Sequence, residues 1–184
     1  MRIRSLSLLT LILSSLALPA LAQSQPPNTV RTLLAAGRLA SVVDTPLHFR
    51  LFAVRLPPTE RVSYSGPNSM LYVLSGTLTV TLDSTTQTVS DGAGVFIPAS
   101  RAAVFSATGT EPAHWLQFVL APAAEIEKPL LGGPARVEEL YRTSESLPGL
   151  STGPYEFSLT RVALPAGMPA NPPHYRSARP CTTS

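Results

Sequence analysis

Leu71-Tyr72-Val73-Leu74-Ser75-Gly76-Thr77-Leu78-Thr79-Val80-Thr81-Leu82 is the stretch that decides the fold. In its second half Leu, Val and Leu alternate with threonines, a period of two that gives a strand one buried face and one wet face. The β-branched threonines suit that outer face. Its first half belongs to a continuous apolar run from Met70 to Leu74, and Gly76 separates the two halves as a bend or bulge would.

Working outward, turn signals and short apolar runs follow one another at close intervals. Asp83-Ser84 supports a hairpin turn, Gln87 to Ser90 a short return strand, and Asp91-Gly92 another turn. Val95-Phe96-Ile97 is a strand stopped by Pro98. Ala102 to Ala107 and His114 to Leu120 are two more, joined by Thr108-Gly109-Thr110-Glu111-Pro112. Upstream, the strand pattern begins at Leu47. Many short antiparallel strands at this spacing predict an all-β sandwich or small barrel. A helical period shows only from Ala135 to Arg142, inside a stretch, 121–155, rich in Pro, Gly, Ser and Glu that reads as a connector.

The chain has 184 residues, 44% of them hydrophobic and 14% charged, enough for one real core and too little for two full domains. Its N-terminus places Arg2 and Arg4 before an apolar run from Leu6 to Leu18 and then Ala20-Leu21-Ala22, the order of a secretory signal. The run is short of the roughly 18 residues that span a bilayer, and Pro19 closes it. Cleavage after Ala22 is expected, with export to the periplasm or the medium and no membrane span in the mature chain. Removing Arg2 and Arg4 reduces the net charge from +3 to +1, because 12 Lys and Arg then face 11 Asp and Glu. No basic run survives, which argues against a nucleic-acid surface. The single Cys181 has no partner for a disulfide within the chain.

Beyond the connector, Ser158-Leu159-Thr160-Arg161-Val162-Ala163-Leu164-Pro165 restates Arg50-Leu51-Phe52-Ala53-Val54-Arg55-Leu56-Pro57 at a constant offset of 108 residues, with Leu, Val, Leu and Pro in register. Such a repeat predicts that a second barrel begins near Tyr155. Its opening strand is followed by Ser177 to Ser184, which has no strand pattern. A GC-rich coding of Arg179 to Ser184 reads Ala-Leu-Tyr-Tyr-Val-Leu in a shifted frame, close to Ser69 to Leu74, so a frameshift in a two-barrel gene is a further expectation.

The segment from Leu56-Pro57-Pro58 through Leu71 to Leu78 and on to Gly94-Val95-Phe96-Ile97-Pro98-Ala99 resembles the cupin superfamily, over roughly residues 47–121. The resemblance implies a small antiparallel double-stranded β-helix, the jelly-roll barrel of that family. It sets out the chain as a signal peptide (1–22), a leader (23–46), the barrel (47–121), a connector (122–155) and the truncated start of a second repeat (156–184), the remains of a bicupin.

The family's two motifs, G-x5-H-x-H-x(3 or 4)-E-x6-G and G-x5-P-x-G-x2-H-x3-N, carry its metal ligands. Aligned on Gly76, the carboxylate position falls on Ser69 and the His pair on Ser63 and Ser65, or with the longer spacing on Val62 and Tyr64. Aligned on Pro98, the second motif's Gly falls on Ser100 and its His on Ala103. Hydroxyls hold a transition metal poorly and alanine does not hold one. No metal site, no catalytic residue and no cofactor are therefore expected. Ser63, Ser65, Ser69 and Ala103 remain as degenerate ligand positions lining a pocket, with Tyr64 and His174 as weak candidates. His174, in Asn171-Pro172-Pro173-His174-Tyr175-Arg176, resembles the first His of a cupin motif. His48 and His114 are isolated in sequence and read as satisfied or solvated histidines. Tyr72 reads as a packed aromatic, and Trp115 as a half-buried edge residue or a platform for a ligand. The reading this supports is a small-molecule-binding or scaffold module, a homodimer, rather than an enzyme. The alternative is a metal-dependent oxygenase or isomerase with atypical ligands, or one whose active barrel has been lost.

Overall fold

A computed structural model describes residues 29–39, 46–99, 101–147 and 154–166. Eleven strands are described in them: β1 (Val30–Leu39), β2 (Leu47–Leu56), β3 (Arg61–Tyr64), β4 (Asn68–Ser75), β5 (Thr77–Leu82), β6 (Thr85–Ser90), β7 (Gly94–Ile97), β8 (Ala103–Thr108), β9 (Ala113–Pro122), β10 (Arg136–Arg142) and β11 (Tyr155–Ala163). One 3-10 turn, Ala123–Glu125, follows β9. The strands form a five-stranded sheet in the order β10-β2-β9-β4-β7, a four-stranded sheet β3-β8-β5-β6, and a separate ribbon β1-β11. Every pairing is antiparallel. The two larger sheets face each other as in a cupin jelly roll, and their hydrogen bonding does not run on into a closed ring.

The alternation read from the sequence places the core. Leu78 and Val80 of β5 point inward with no exposed surface, and they meet Phe52, Val54 and Leu56 of β2, Val62 and Tyr64 of β3, Leu71 and Val73 of β4, Phe105 of β8 and Trp115 of β9. Gly76 is where the chain leaves one sheet for the other. Its φ is +78°, and a Cβ there would lie 2.5 Å from the Pro112 carbonyl oxygen, so both the handedness and the close approach require glycine. Asp83, at φ 52°, turns the β5–β6 hairpin that Asp83-Ser84 predicted.

Three segments differ from the sequence reading. Residues 30–39, inside the expected leader, form β1, which is paired with β11 far along the chain. Ala135 to Arg142, where a helical period was expected, contains β10, because good helix formers such as Glu138 and Glu139 lose to pairing along the β2 edge. The expected connector thus holds a strand of the main sheet. Trp115, expected at a half-buried edge, is completely buried in the middle of the core.

Candidate functional site

The inner face of β2 carries Arg50, Phe52, Val54 and Leu56 in alternation, so a guanidinium enters the space between the sheets. Arg50 is 6% exposed. Its Nε and Nη2 donate to the two carboxylate oxygens of Glu139 on β10, both at 3.0 Å, and Nη1 donates to the Lys128 carbonyl at 3.0 Å. Its plane also lies 4.6 Å from the Phe52 ring. Arg142 donates to the same Glu139 carboxylate and to Glu127. The guanidinium of Arg142, then that of Arg50, holds the Glu139 carboxyl down at about 2.

Arg50 opens onto a cavity of about 240 Å³ at one end of the two-sheet core. Ser63, Tyr64, Ser65 and Pro67 line it from β3 and the turn after it, Val119 from β9, Glu125 from the end of the 3-10 turn, and Lys128 to Gly132 from the segment beyond. Its walls mix hydroxyls, one carboxylate and one ammonium with proline and leucine.

Below the cavity the core is sealed by a polar chain within an aromatic cluster. The Trp115 indole N–H donates to Gln117 Oε1 at 3.2 Å, and Gln117 Nε2 donates to Ser69 Oγ at 3.2 Å. Gln117 and Ser69 have no exposed surface. The Tyr64 ring stacks on Phe105 at 5.8 Å, and Phe105 meets Trp115 edge-on at 5.8 Å. The Tyr64 hydroxyl donates to the Pro67 carbonyl. Burial pushes this phenol up to about 12, although Ser69 and Gln117 beside it act in the opposite direction.

The residues singled out from sequence separate into two groups. Ser63, on the exposed face of β3, and Ser65, just after its end, line the cavity, whereas Val62 and Tyr64 point inward, so the longer motif spacing describes the interior. Ser69 and Ala103 are completely buried and belong to the sealed core, away from the cavity wall. Ser100 and His174 lie outside the described residues. His48 is half-buried, and its buried Nδ1 has no hydrogen-bond partner. His114 faces the outer side of β9 beside Leu74 and Val137, in a shallow groove. Among the described residues no three His, Cys, Asp or Glu side chains gather into a metal-binding group.

Arg50 and Gln117 are absent from the sequence-based candidates. Each had a signal: a polar residue on the apolar phase of an alternating strand, as in Arg50-Phe52-Val54 and Trp115-Gln117-Val119. Lys128 and Glu125 had none, because only the path of the chain after β9 brings them to the cavity.

Residues 54–119 match the cupin domain family. These residues form a cupin domain. Solved structures with a similar chain path include a conserved protein of unknown function from Streptococcus pyogenes, at 24% identity over 52% of this chain and 75% of that one, with a TM-score of 0.36. The cupin domain of an XRE family transcriptional regulator from Enterobacter cloacae matches at 18% identity, over 50% of this chain and 94% of that one, with a TM-score of 0.37. A cupin conserved barrel domain protein from Salinispora arenicola matches at 15% identity, over 50% and 79%, with a TM-score of 0.39. Comparison with curated proteins gives no match.

Proposed function

We propose that this cupin domain is an exported binding module that takes a small polar ligand at the cavity beside Arg50 and works without a metal. The observation that carries the reading is the division of labour inside the fold. Where the family places its ligands, this chain has Ser69 hydrogen-bonded to Gln117, an alanine at 103, and a phenol whose proton is held to about pH 12. A hydroxyl, a carboxamide and a protonated phenol do not suit a transition-metal ion, which wants imidazole, thiolate or carboxylate. The open volume lies instead above this sealed core. About 240 Å³ is below the 300–1,000 Å³ range of drug-sized ligand sites, so a single sugar ring or a compound of similar size fits best. Hydroxyls of Ser63 and Ser65 and the charges of Lys128 and Glu125 would orient it, with Leu130 and Leu131 against its apolar side.

Thermal shift and calorimetry of the mature protein against monosaccharides and small hydroxy acids test the binding claim. A ligand that raises the melting temperature and loses at least tenfold in affinity in Ser63→Leu supports it, and silence across both classes overturns it. Metal analysis tests the other half: a stoichiometric transition metal retained through chelator-free purification overturns the metal-free reading and favours an enzyme. Export rests on Arg2, Arg4, the apolar run and Ala20-Leu21-Ala22. Mass spectrometry of protein recovered from outside the cytoplasm is expected to find a chain beginning at Gln23.

A further inference from the structure

Arg50 stands on a phase of β2 that is otherwise apolar, since Phe52, Val54 and Leu56 follow it on the same inner face. Glu139 offsets its charge but is shared with Arg142, so one carboxylate meets two guanidiniums. A buried ion pair is a poor device for stability, because apolar residues of similar volume often serve a core as well or better. Holding β10 in place therefore does not by itself account for a guanidinium at this position.

The guanidinium also has donors to spare. It carries five N–H groups in one plane. Glu139 takes one from Nε and one from Nη2, and the Lys128 carbonyl takes one from Nη1. Among the described residues no other acceptor reaches it, so one N–H remains on each terminal nitrogen. Arg50 is 6% exposed and is part of the cavity wall, so a buried pair of donors borders a space of about 240 Å³ that a small molecule can enter. Glu139 along one edge of the plane and the Phe52 ring 4.6 Å from its centre hold the guanidinium in place before any ligand arrives.

The charges of the wall point the same way. Arg50, Lys128 and Glu125 are its charged residues, and the Lys128 ammonium lies 3.7 Å from the Glu125 carboxylate. That pair cancels, and Arg50 is the surplus. The Tyr64 hydroxyl is turned to the Pro67 carbonyl and supplies no negative charge. Two coplanar donors on a dry cation match the two oxygens of a carboxylate, whereas a neutral hydroxyl or amide brings no charge to meet it. We infer that the ligand of this cavity is a small ionised carboxylic acid, a hydroxy acid or a sugar acid, whose carboxylate bridges the terminal nitrogens of Arg50 while its hydroxyls meet Ser63 and Ser65. The inference rests on the binding reading above and adds to it the charge of the ligand and the residue that selects it.

Calorimetry on the full mature chain compares matched ligands: glucuronate with glucuronamide and glucose, and lactate with lactamide, with inorganic phosphate as a further probe. In at least one series the acid is expected to bind about tenfold or more tighter than its amide, and to lose that affinity in Ser63→Leu, which places it in the cavity. The advantage is expected to vanish when Arg50→Gln is combined with Glu139→Gln, which removes both charges of the pair together, and the near-ultraviolet signal of Trp115 checks folding. Lys128→Gln changes a side chain that is 66% exposed, so it separates the two cations even if the double variant does not fold, and the advantage is expected to persist in it. A neutral sugar or amide bound as tightly as the acid, and lost in Ser63→Leu, overturns the inference and leaves the binding reading standing. Silence in every series overturns both. Phosphate bound as tightly as the acid makes the site one for oxyanions in general. Loss of the advantage in Lys128→Gln, or its survival in a folded double variant, moves the selection away from the guanidinium. Each of these last results overturns the assignment of a carboxylate to Arg50.

Discussion

Gln117 is the residue on which the sealed core depends. Its amide oxygen accepts from Trp115 and its amide nitrogen donates to Ser69, so one side chain satisfies an indole and a hydroxyl that water does not reach. Gln117→Leu keeps the volume and leaves that indole N–H unpaired in the dry interior. The expected loss is about 1–3 kcal/mol, the cost of an unsatisfied buried group. Urea unfolding followed by the fluorescence of the single tryptophan measures it. Tyr64 adds a pH dependence. A phenol raised from 10.0 to about 12 stabilises the folded chain fully below pH 10, and this contribution is lost as the pH rises from 10 towards 12. Tyr64→Phe is expected to flatten the alkaline limb of stability against pH. That Tyr64, and not its serine neighbours, fills the interior could be read from the sequence only as an alternative spacing, because a shift of one residue exchanges the two faces of a strand.

At the scale of elements, β10 marks the limit of what local pattern can show. β5, β7, β8 and β9 were legible because their side chains alternate against a core that each meets directly, and β4 because its apolar run is continuous. β1 and β10 lie at sheet edges, most of their residues are exposed, and their partners are far along the chain, so no local period reports them. What holds β10 is Arg50, 7% exposed at its side chain, against Glu139 at 26%. Glu139→Gln leaves the guanidinium with half its charge-assisted partners, and the expected cost is about 2 kcal/mol, below the ~3–5 kcal/mol of a fully buried pair because water reaches the carboxylate. The sign of the pH effect follows from the lowered carboxyl. The stability contributed by Glu139 is present above pH 4.5 and disappears as the pH falls towards about 2. Wild-type protein is expected to lose stability across that window, and the Gln variant to lose measurably less, in acid-melting curves recorded side by side.

On the scale of the whole molecule, the β1–β11 ribbon meets the five-stranded sheet at β7, and Gly37 is at the junction. A Cβ at Gly37 would lie 2.1 Å from Phe96 Cδ1, so the ribbon comes this close to β7 only because residue 37 has no side chain. Phe157 meets the same Phe96 ring edge-on at 6.5 Å, and Leu34 and Leu159 crowd the space that a Cβ at Gly94 would occupy. In the ribbon Val30 and Leu33 are 59% and 60% exposed and Val162 49%, whereas the two-sheet core closes on itself with Trp115, Phe105, Leu78 and Ile97 completely buried. The two parts are therefore expected to differ in local stability, with the ribbon opening well before the core. Gly37→Leu tests this directly. The added side chain must displace the Phe96 ring or the ribbon, and the ribbon is the weaker of the two. The near-ultraviolet signal of Trp115 and the main melting transition are expected to stay near wild type while amides of β1 and β11 exchange at least tenfold faster. If the main transition collapses together with the ribbon, the chain folds as one cooperative unit and the ribbon is part of what holds the jelly roll closed.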